Sequence, residues 1–188
     1  KQVFYILPPD AVQYSYTGRA RHRALRGRLA SSGGFAMQYR KLPHGGEQIG
    51  VLGLGSSAIG QAGDKEIEAT VAMALENGVN YFDMASGDAA PFAPYGRAVA
   101  AAGMRDKVYF QIHFGAEYTT GKYGWTLDLD AIKRSVDWQL TRLKTDYIDF
   151  GFIHCIDELA DLDAVEAHGT LDYMRSLKEQ GVIRHIGI

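Results

Sequence analysis

Three apolar runs in this sequence end in side chains that hold or move protons. Asp83 closes "VNYFD", His113 stands near the end of "KVYFQIHF", and His154 ends "DYIDFGFIH". A phenol, Tyr95, sits in "FAPYG" between the first two. A carboxylate, two imidazoles and a phenol suffice for general acid–base chemistry at an oxygen. A phenol can give up a proton where a nearby cation stabilises the phenolate left behind, and a ring N–H can orient an oxygen. A lone histidine at the end of an apolar strand is more often a core group bonded to backbone. Three proton-handling groups at the ends of three successive runs call for elements that bring them to one rim.

Those elements are legible from Met37 onward, where short apolar runs alternate with segments of helical period. Tyr39 to Leu42 and Gln48 to Val51 flank a "PHGGE" turn and predict a hairpin ahead of a first strand near Leu52 to Leu54. Asp64 is placed to cap a helix bearing Ile67, Val71 and Leu75, with Gly78 as its stop. The second strand is "VNYFDMA". A short helix is expected after Tyr95, then the third strand, "KVYFQIHF". Ile132, Val136, Leu140 and Leu143 mark a long helix and "DYIDFGFIH" the fourth strand. Leu171, Met174 and Leu177 mark a further helix closed by Gly181, and "IRHIGI" is a fifth strand.

Length and composition allow this arrangement. The chain has 188 residues, 46% hydrophobic and 22% charged, enough for a substantial core. No apolar run approaches the roughly 20 residues of a spanning helix, so no membrane role is expected. The net charge of -2 gives no reason to expect nucleic acid. Cys155 is the only cysteine, which precludes an intrachain disulfide and fits a reducing, cytoplasmic setting. No His/Cys spacing resembles a metal site. Residues 1–36 stand apart: Lys1, Arg19, Arg21, Arg23, Arg26 and Arg28 face the single acid Asp10. They read as a basic extension, disordered or not native to the domain, and residues 37–188 as the folded unit.

Successive βα units with near-continuous apolar strands imply a parallel sheet covered by helices, either a doubly wound open sheet or a (β/α)8 barrel. "GLGSSAIG" carries Gly53 and Gly55, but Gly60 comes too late for the G-x-G-x-x-G of a dinucleotide-binding open sheet. In a barrel, functional side chains collect at the carboxyl ends of the strands. Asp83, His113 and His154 fit that placement.

Taken together, "YRKL…IGVLGLG", "GVNYFDMA", "YGRAVA…RDKVYFQIHFG", "QLTRLKTDYIDFGFIH" and "LKEQGVIRHIGI" resemble the first five βα units of an aldo-keto reductase. The resemblance implies an α/β fold, a TIM barrel present here as an incomplete N-terminal portion preceded by the hairpin. It also implies hydride transfer between NADPH and a small carbonyl or alcohol, with Gly55, Ser56, Ser57 and Asp83 at the cofactor. The family's catalytic groups carry over as Asp83, Tyr95 and His154, while its lysine position is held by His113. The family's D-x-A-x-x-Y-G pattern is not kept, since eleven residues separate Asp83 from Tyr95. A histidine can replace the lysine's charge only when protonated, a form that a neighbouring carboxylate favours. The chain looks most like a bacterial subgroup whose C-terminal ferredoxin-like tail binds [4Fe-4S] clusters, which would imply an electron-transfer partner.

Two other readings stay open on sequence alone. One is a non-catalytic regulatory or binding subunit, with loss of the lysine as its mark. The other is a barrel lyase or isomerase using Asp83 and His113 without nicotinamide. Among the remaining residues, Asp149 is expected to bond backbone or a basic partner, and Cys155 to be a buried inert thiol. His168 and His185 are read as structural or exposed. Tyr118, Tyr123 and Trp125, in "FGAEYTTGKYGWTL", are read as a substrate lid or a packed surface loop.

Overall fold

The computed structural model describes residues 36–188. The reading of residues 1–36 as a basic extension therefore lies, but for Ala36, outside the described residues. An antiparallel hairpin of β1 (Tyr39–Lys41) and β2 (Gln48–Gly50) comes first, followed by the two-residue strand β3 (Leu54–Gly55). Helix α1 (Asp64–Glu76), strand β4 (Tyr81–Asp83), helix α2 (Phe92–Ala101) and strand β5 (Tyr109–Phe114) succeed one another. A second hairpin, β6 (Ala116–Glu117) with β7 (Gly124–Trp125), precedes α3 (Leu129–Leu143) and β8 (Ile148–Ile153). Helices α4 (Leu159–Ala167) and α5 (Thr170–Glu179) then lead to β9 (Ile183–Gly187).

Five of these strands form one parallel sheet in the order β3-β4-β5-β8-β9. With sequential strands adjacent and helices between them, this is the arrangement of successive staves in a (β/α)8 barrel, here as a partial barrel. Side chains alternate between the faces of each strand. Phe82, Phe110, Ile112 and Phe114 join Ile67, Val71 and Leu75 of α1 and Ile132, Val136 and Leu143 of α3 in one buried core. The opposite face carries Tyr81, Asp83, Gln111, His113, Phe150, Phe152 and His185, which touch one another through rings and hydrogen bonds.

Local chemistry explains where the elements begin and end. Helix α1 ends as expected, with Gly78 at φ +82 and the Gly78 and Val79 N–H groups donating to Leu75 and Ala74. Its start differs: Gly63 holds the cap position, and the Asp64 carboxylate pairs instead with Arg97 at 2.7 Å. Helix α2 includes Tyr95, although the sequence predicts a helix only after it. Pro94 lies in the first turn, where its missing N–H costs nothing. Helix α4 was not expected, because only Val165 of it is buried and no apolar stripe announces it. Its start is held by Asp161, whose carboxylate accepts from the Asp157 and Glu158 N–H groups at 2.9 Å.

The first hairpin is tied to the sheet at two places. Asn80, just before β4, accepts from Gly50 N–H and donates to Gln48. At the other side, Glu47 Oε1 lies 2.6 Å from His185 Nε2 on β9.

Candidate active site

Asp83 is the last residue of β4, His113 the penultimate residue of β5, and His154 directly follows β8. The parallel register brings all three to the carboxyl-end rim. The His154 N–H donates to Phe114 at 2.9 Å, so the backbone itself continues the β5–β8 pairing to that point.

The three side chains are in contact. His113 Nε2 lies 2.7 Å from Asp83 Oδ1, and Gln111 Nε2 donates to the same oxygen at 3.1 Å. The Tyr81 hydroxyl donates to Gln111 Oε1, which turns the amide nitrogen toward Asp83. On its other side, His113 Nδ1 lies 3.4 Å from His154 Nδ1, with the two rings edge-on at 79°. His154 Nε2 in turn meets the Tyr123 hydroxyl at 2.9 Å. The His113 side chain is 14% exposed and that of Asp83 38%, so the pair is sheltered but not sealed from solvent. Burial holds the His154 imidazole below its usual range of protonation, and the charge of His113 adds to the effect.

Gln111 was missed by sequence reasoning. The signal was available, since a polar residue two positions before His113 on an apolar strand shares its face. Its amide braces Asp83 beneath the imidazole.

Tyr95 is not brought to this cluster. It is fully buried on the helix side of the sheet, its ring edge-on to Phe82, and its hydroxyl donates to the Gly55 carbonyl at 3.1 Å. Burial, followed by the charge of Asp83, makes this phenol harder to ionise than an ordinary tyrosine. The "YG" pair does packing work: a Cβ on Gly96 would come within 2.3 Å of the Arg142 carbonyl oxygen, so α2 and α3 touch backbone to backbone here. Counted from Asp83, the tyrosine of D-x-A-x-x-Y-G falls on Asp88, whose Oδ1 accepts from Ala90 N–H at 2.9 Å.

The proposed cofactor residues lie next to the rim. The Ser56 N–H donates to the Asp83 carbonyl at 2.9 Å, while its hydroxyl is buried without a partner. Gly55 and Ser57 are exposed, and a Cβ on Gly55 would meet nothing within 4 Å.

The other singled-out residues sort simply. Asp149 is 1% exposed and accepts from Phe110 N–H at 2.9 Å, with Arg105 and Arg184 each 3.0 Å from its carboxylate. Burial raises its pKa while the arginines oppose that shift. Cys155 is exposed rather than buried, because at φ +56 the chain has left the strand and its alternation of faces. Tyr118 is buried, its hydroxyl bonded to both backbone groups of Ser86. Trp125 is 50% exposed. Exposed His168 bonds its own helix at Ala164, and His185 stacks on Phe150 with ring centroids 5.2 Å apart.

This rim can be compared with known proteins. Residues 50–188 match the family model described as the Aldo/keto reductase family. The chain belongs to that family. Among curated relatives, L-galactose dehydrogenase of Arabidopsis thaliana is 28% identical over 159 residues, covering 81% of this chain and 48% of that protein. The uncharacterized oxidoreductase YqkF of Bacillus subtilis is 31% identical, with the same two coverages, 81% and 48%. Among solved structures, the holo form of aldo-keto reductase AKR11C1 from Bacillus halodurans superposes with a TM-score of 0.63 at 29% identity, covering 81% of this chain and 50% of that one. A putative aldo-keto reductase from Pseudomonas aeruginosa gives 0.66 at 27% identity, covering 79% and 58%. The chain spans about half the length of these curated relatives. No helix among the described residues is long and apolar enough to cross a membrane.

Proposed function

We propose that this aldo-keto reductase chain forms the acid–base half of a site that interconverts a small carbonyl and its alcohol with NADPH. The observation that carries the reading is the contact of Asp83, His113 and His154 on one rim of the sheet, with His113 Nε2 2.7 Å from Asp83.

Two features support a nicotinamide nucleotide here. The buried Ser56 hydroxyl lacks a partner, and the space beside Gly55 is open. Gly55, Ser56, Ser57 and Asp83 would hold it, and when bound it would supply hydride to the carbonyl carbon. The protein residues govern the oxygen. His154, edge-on to His113 and bonded to the Tyr123 hydroxyl, links the groups that face the oxygen. His113, held by Asp83, provides a cation beside the oxygen as negative charge grows there. In a partly buried site that stabilisation exceeds what the same charge gives in water.

The test is a fluorescence titration of the intact protein with NADPH, followed by turnover of a panel of small aldehydes and ketones. Binding with turnover supports the reading. Tight substrate binding and chemistry without nicotinamide would replace it with the lyase or isomerase reading, and binding without turnover with the regulatory one.

A further inference from the structure

The site contains two imidazoles and a carboxylate, but the phenol expected to give up the proton points elsewhere. Three of the four tyrosines around it already donate their hydroxyl protons: Tyr81 to Gln111, Tyr95 to Gly55 and Tyr118 to Ser86. The fourth, Tyr123, is 39% exposed, with its hydroxyl oxygen 2.9 Å from His154 Nε2. If that nitrogen carries the hydrogen, the oxygen accepts and its own O–H is free to donate. Resting on the functional reading above, we propose that Tyr123 is the catalytic proton donor to the substrate oxygen, recharged through a Tyr123–His154–His113–Asp83 chain.

The loop that carries Tyr123 is built to hold it still. Strands β6 and β7 pair antiparallel, Ala116 with Trp125 and Glu117 with Gly124. Gly121, at φ +90, makes the turn, its N–H donating to Tyr118 at 2.9 Å. The tip docks on the segment after β4: Tyr123 N–H donates to Gly87, Ala89 N–H donates to Gly121, and Asp88 bridges to Lys122. An exposed phenol on a tethered backbone combines access with a fixed donor position.

The proton account balances. As the carbonyl carbon gains hydride, the C=O electron pair moves to oxygen, which takes the Tyr123 proton and becomes the alcohol hydroxyl. His154 returns a proton to the phenolate from Nε2 while its Nδ1 takes one from Nδ1 of a protonated His113. His113 ends neutral with its Nε2–H still on Asp83, and His154 ends with its hydrogen on Nδ1. Exchange with solvent returns a hydrogen to His154 Nε2, removes the one on Nδ1 and reprotonates His113, a net uptake of one proton per turnover. The Asp83 carboxylate favours a protonated His154, but burial and the charge of His113 outweigh it. Burial, then Cys155, holds the Tyr123 phenol above its usual range, which makes it a weaker donor and a ready recapturer, so donation is driven by the charge that grows on the substrate oxygen. Depressed protonation of His154 keeps it neutral, as the relay needs.

The experiment compares the intact wild type with Tyr123→Phe and Tyr95→Phe in turnover, NADPH fluorescence and 15N spectra of the histidine rings. The relay predicts that Tyr123→Phe lowers kcat by about 10²- to 10⁴-fold, leaves NADPH binding unchanged and shifts the His154 Nε2 resonance. Loss of kcat in Tyr95→Phe with full kcat in Tyr123→Phe overturns it. An unchanged His154 ring spectrum in Tyr123→Phe overturns it whether or not the protein turns over. A wild type that binds no NADPH overturns the functional reading instead, which keeps the two failures distinct.

Discussion

His113 reaches Asp83 diagonally across two strands. The register sets Asp83 opposite Gln111, and the imidazole two residues further along β5 leans back to place Nε2 2.7 Å from Oδ1. Diagonal neighbours on one face are within reach of long side chains, so the pleat makes this pair without any special backbone. His113→Ala is expected to lower kcat by about 10²- to 10⁴-fold while the protein still folds. His113→Lys should retain turnover and extend it to higher pH, since lysine side chains keep their charge well beyond the histidine range. Profiles of kcat against pH for the three proteins check this. An alanine variant that melts early yet turns over at the normal rate would return His113 to a purely structural role.

Asp149 makes the opposite claim from a similar sequence position. It too is an acid within an apolar strand, but it lies on the helix side, where Arg105, Arg184 and the Phe110 N–H use its oxygens. Removing the acid leaves a largely buried guanidinium uncompensated, a change that costs about 3 kcal/mol or more. Asp149→Ala should therefore depress Tm strongly and leave the pH dependence of kcat unmoved. A shifted pH profile in the folded variant would place Asp149 in the chemistry.

These two acids show what the sequence could convey. Asp83, His113 and His154 were legible because a parallel sheet has one functional end and a strand alternates faces, both of which are local rules. The same rules would have found Gln111, two residues from His113. Tyr95 misled because a "YG" pair can serve a catalytic motif or a close helix crossing, and only the contact of α2 with α3 distinguishes them. Tyr123 was read as part of a substrate lid or a packed surface loop. Its bond to His154 depends on that hairpin docking against Gly87 and Ala89, a pairing between segments more than thirty residues apart that no period announces.

The helix crossing gives a direct test of the packing reading. A methyl group on Gly96 would meet backbone of α3, 2.3 Å from the Arg142 oxygen and 2.7 Å from the Leu143 Cα, and backbone cannot swing aside as a side-chain tip can. Gly96→Ala should destabilise the protein by about 1 to 3 kcal/mol despite alanine's better helix propensity, seen as a lower Tm or urea midpoint. An unchanged or raised midpoint would mean that the helices separate freely and that this glycine is not what sets their distance.

Glu47 links the first hairpin to the far strand of the sheet, and its ionisation should report on that link. Gly46 N–H, and next the His185 side chain, hold its carboxyl at a pKa of about 2, against an ordinary value of 4.5. A carboxylate bound more tightly in the folded state stabilises fully above its unfolded pKa, and that contribution disappears as pH falls through the folded value. The window is thus from about 4.5 down to about 2. Glu47→Gln keeps the shape and an acceptor oxygen but has no charge to lose. The difference in Tm between wild type and Glu47→Gln should therefore shrink steadily as pH drops across that window, while other acidic groups, common to both proteins, cancel. Parallel curves would show that the hairpin is held by Asn80, the Tyr39–Gly78 hydrogen bond and packing, with the Glu47–His185 contact contributing nothing through its charge.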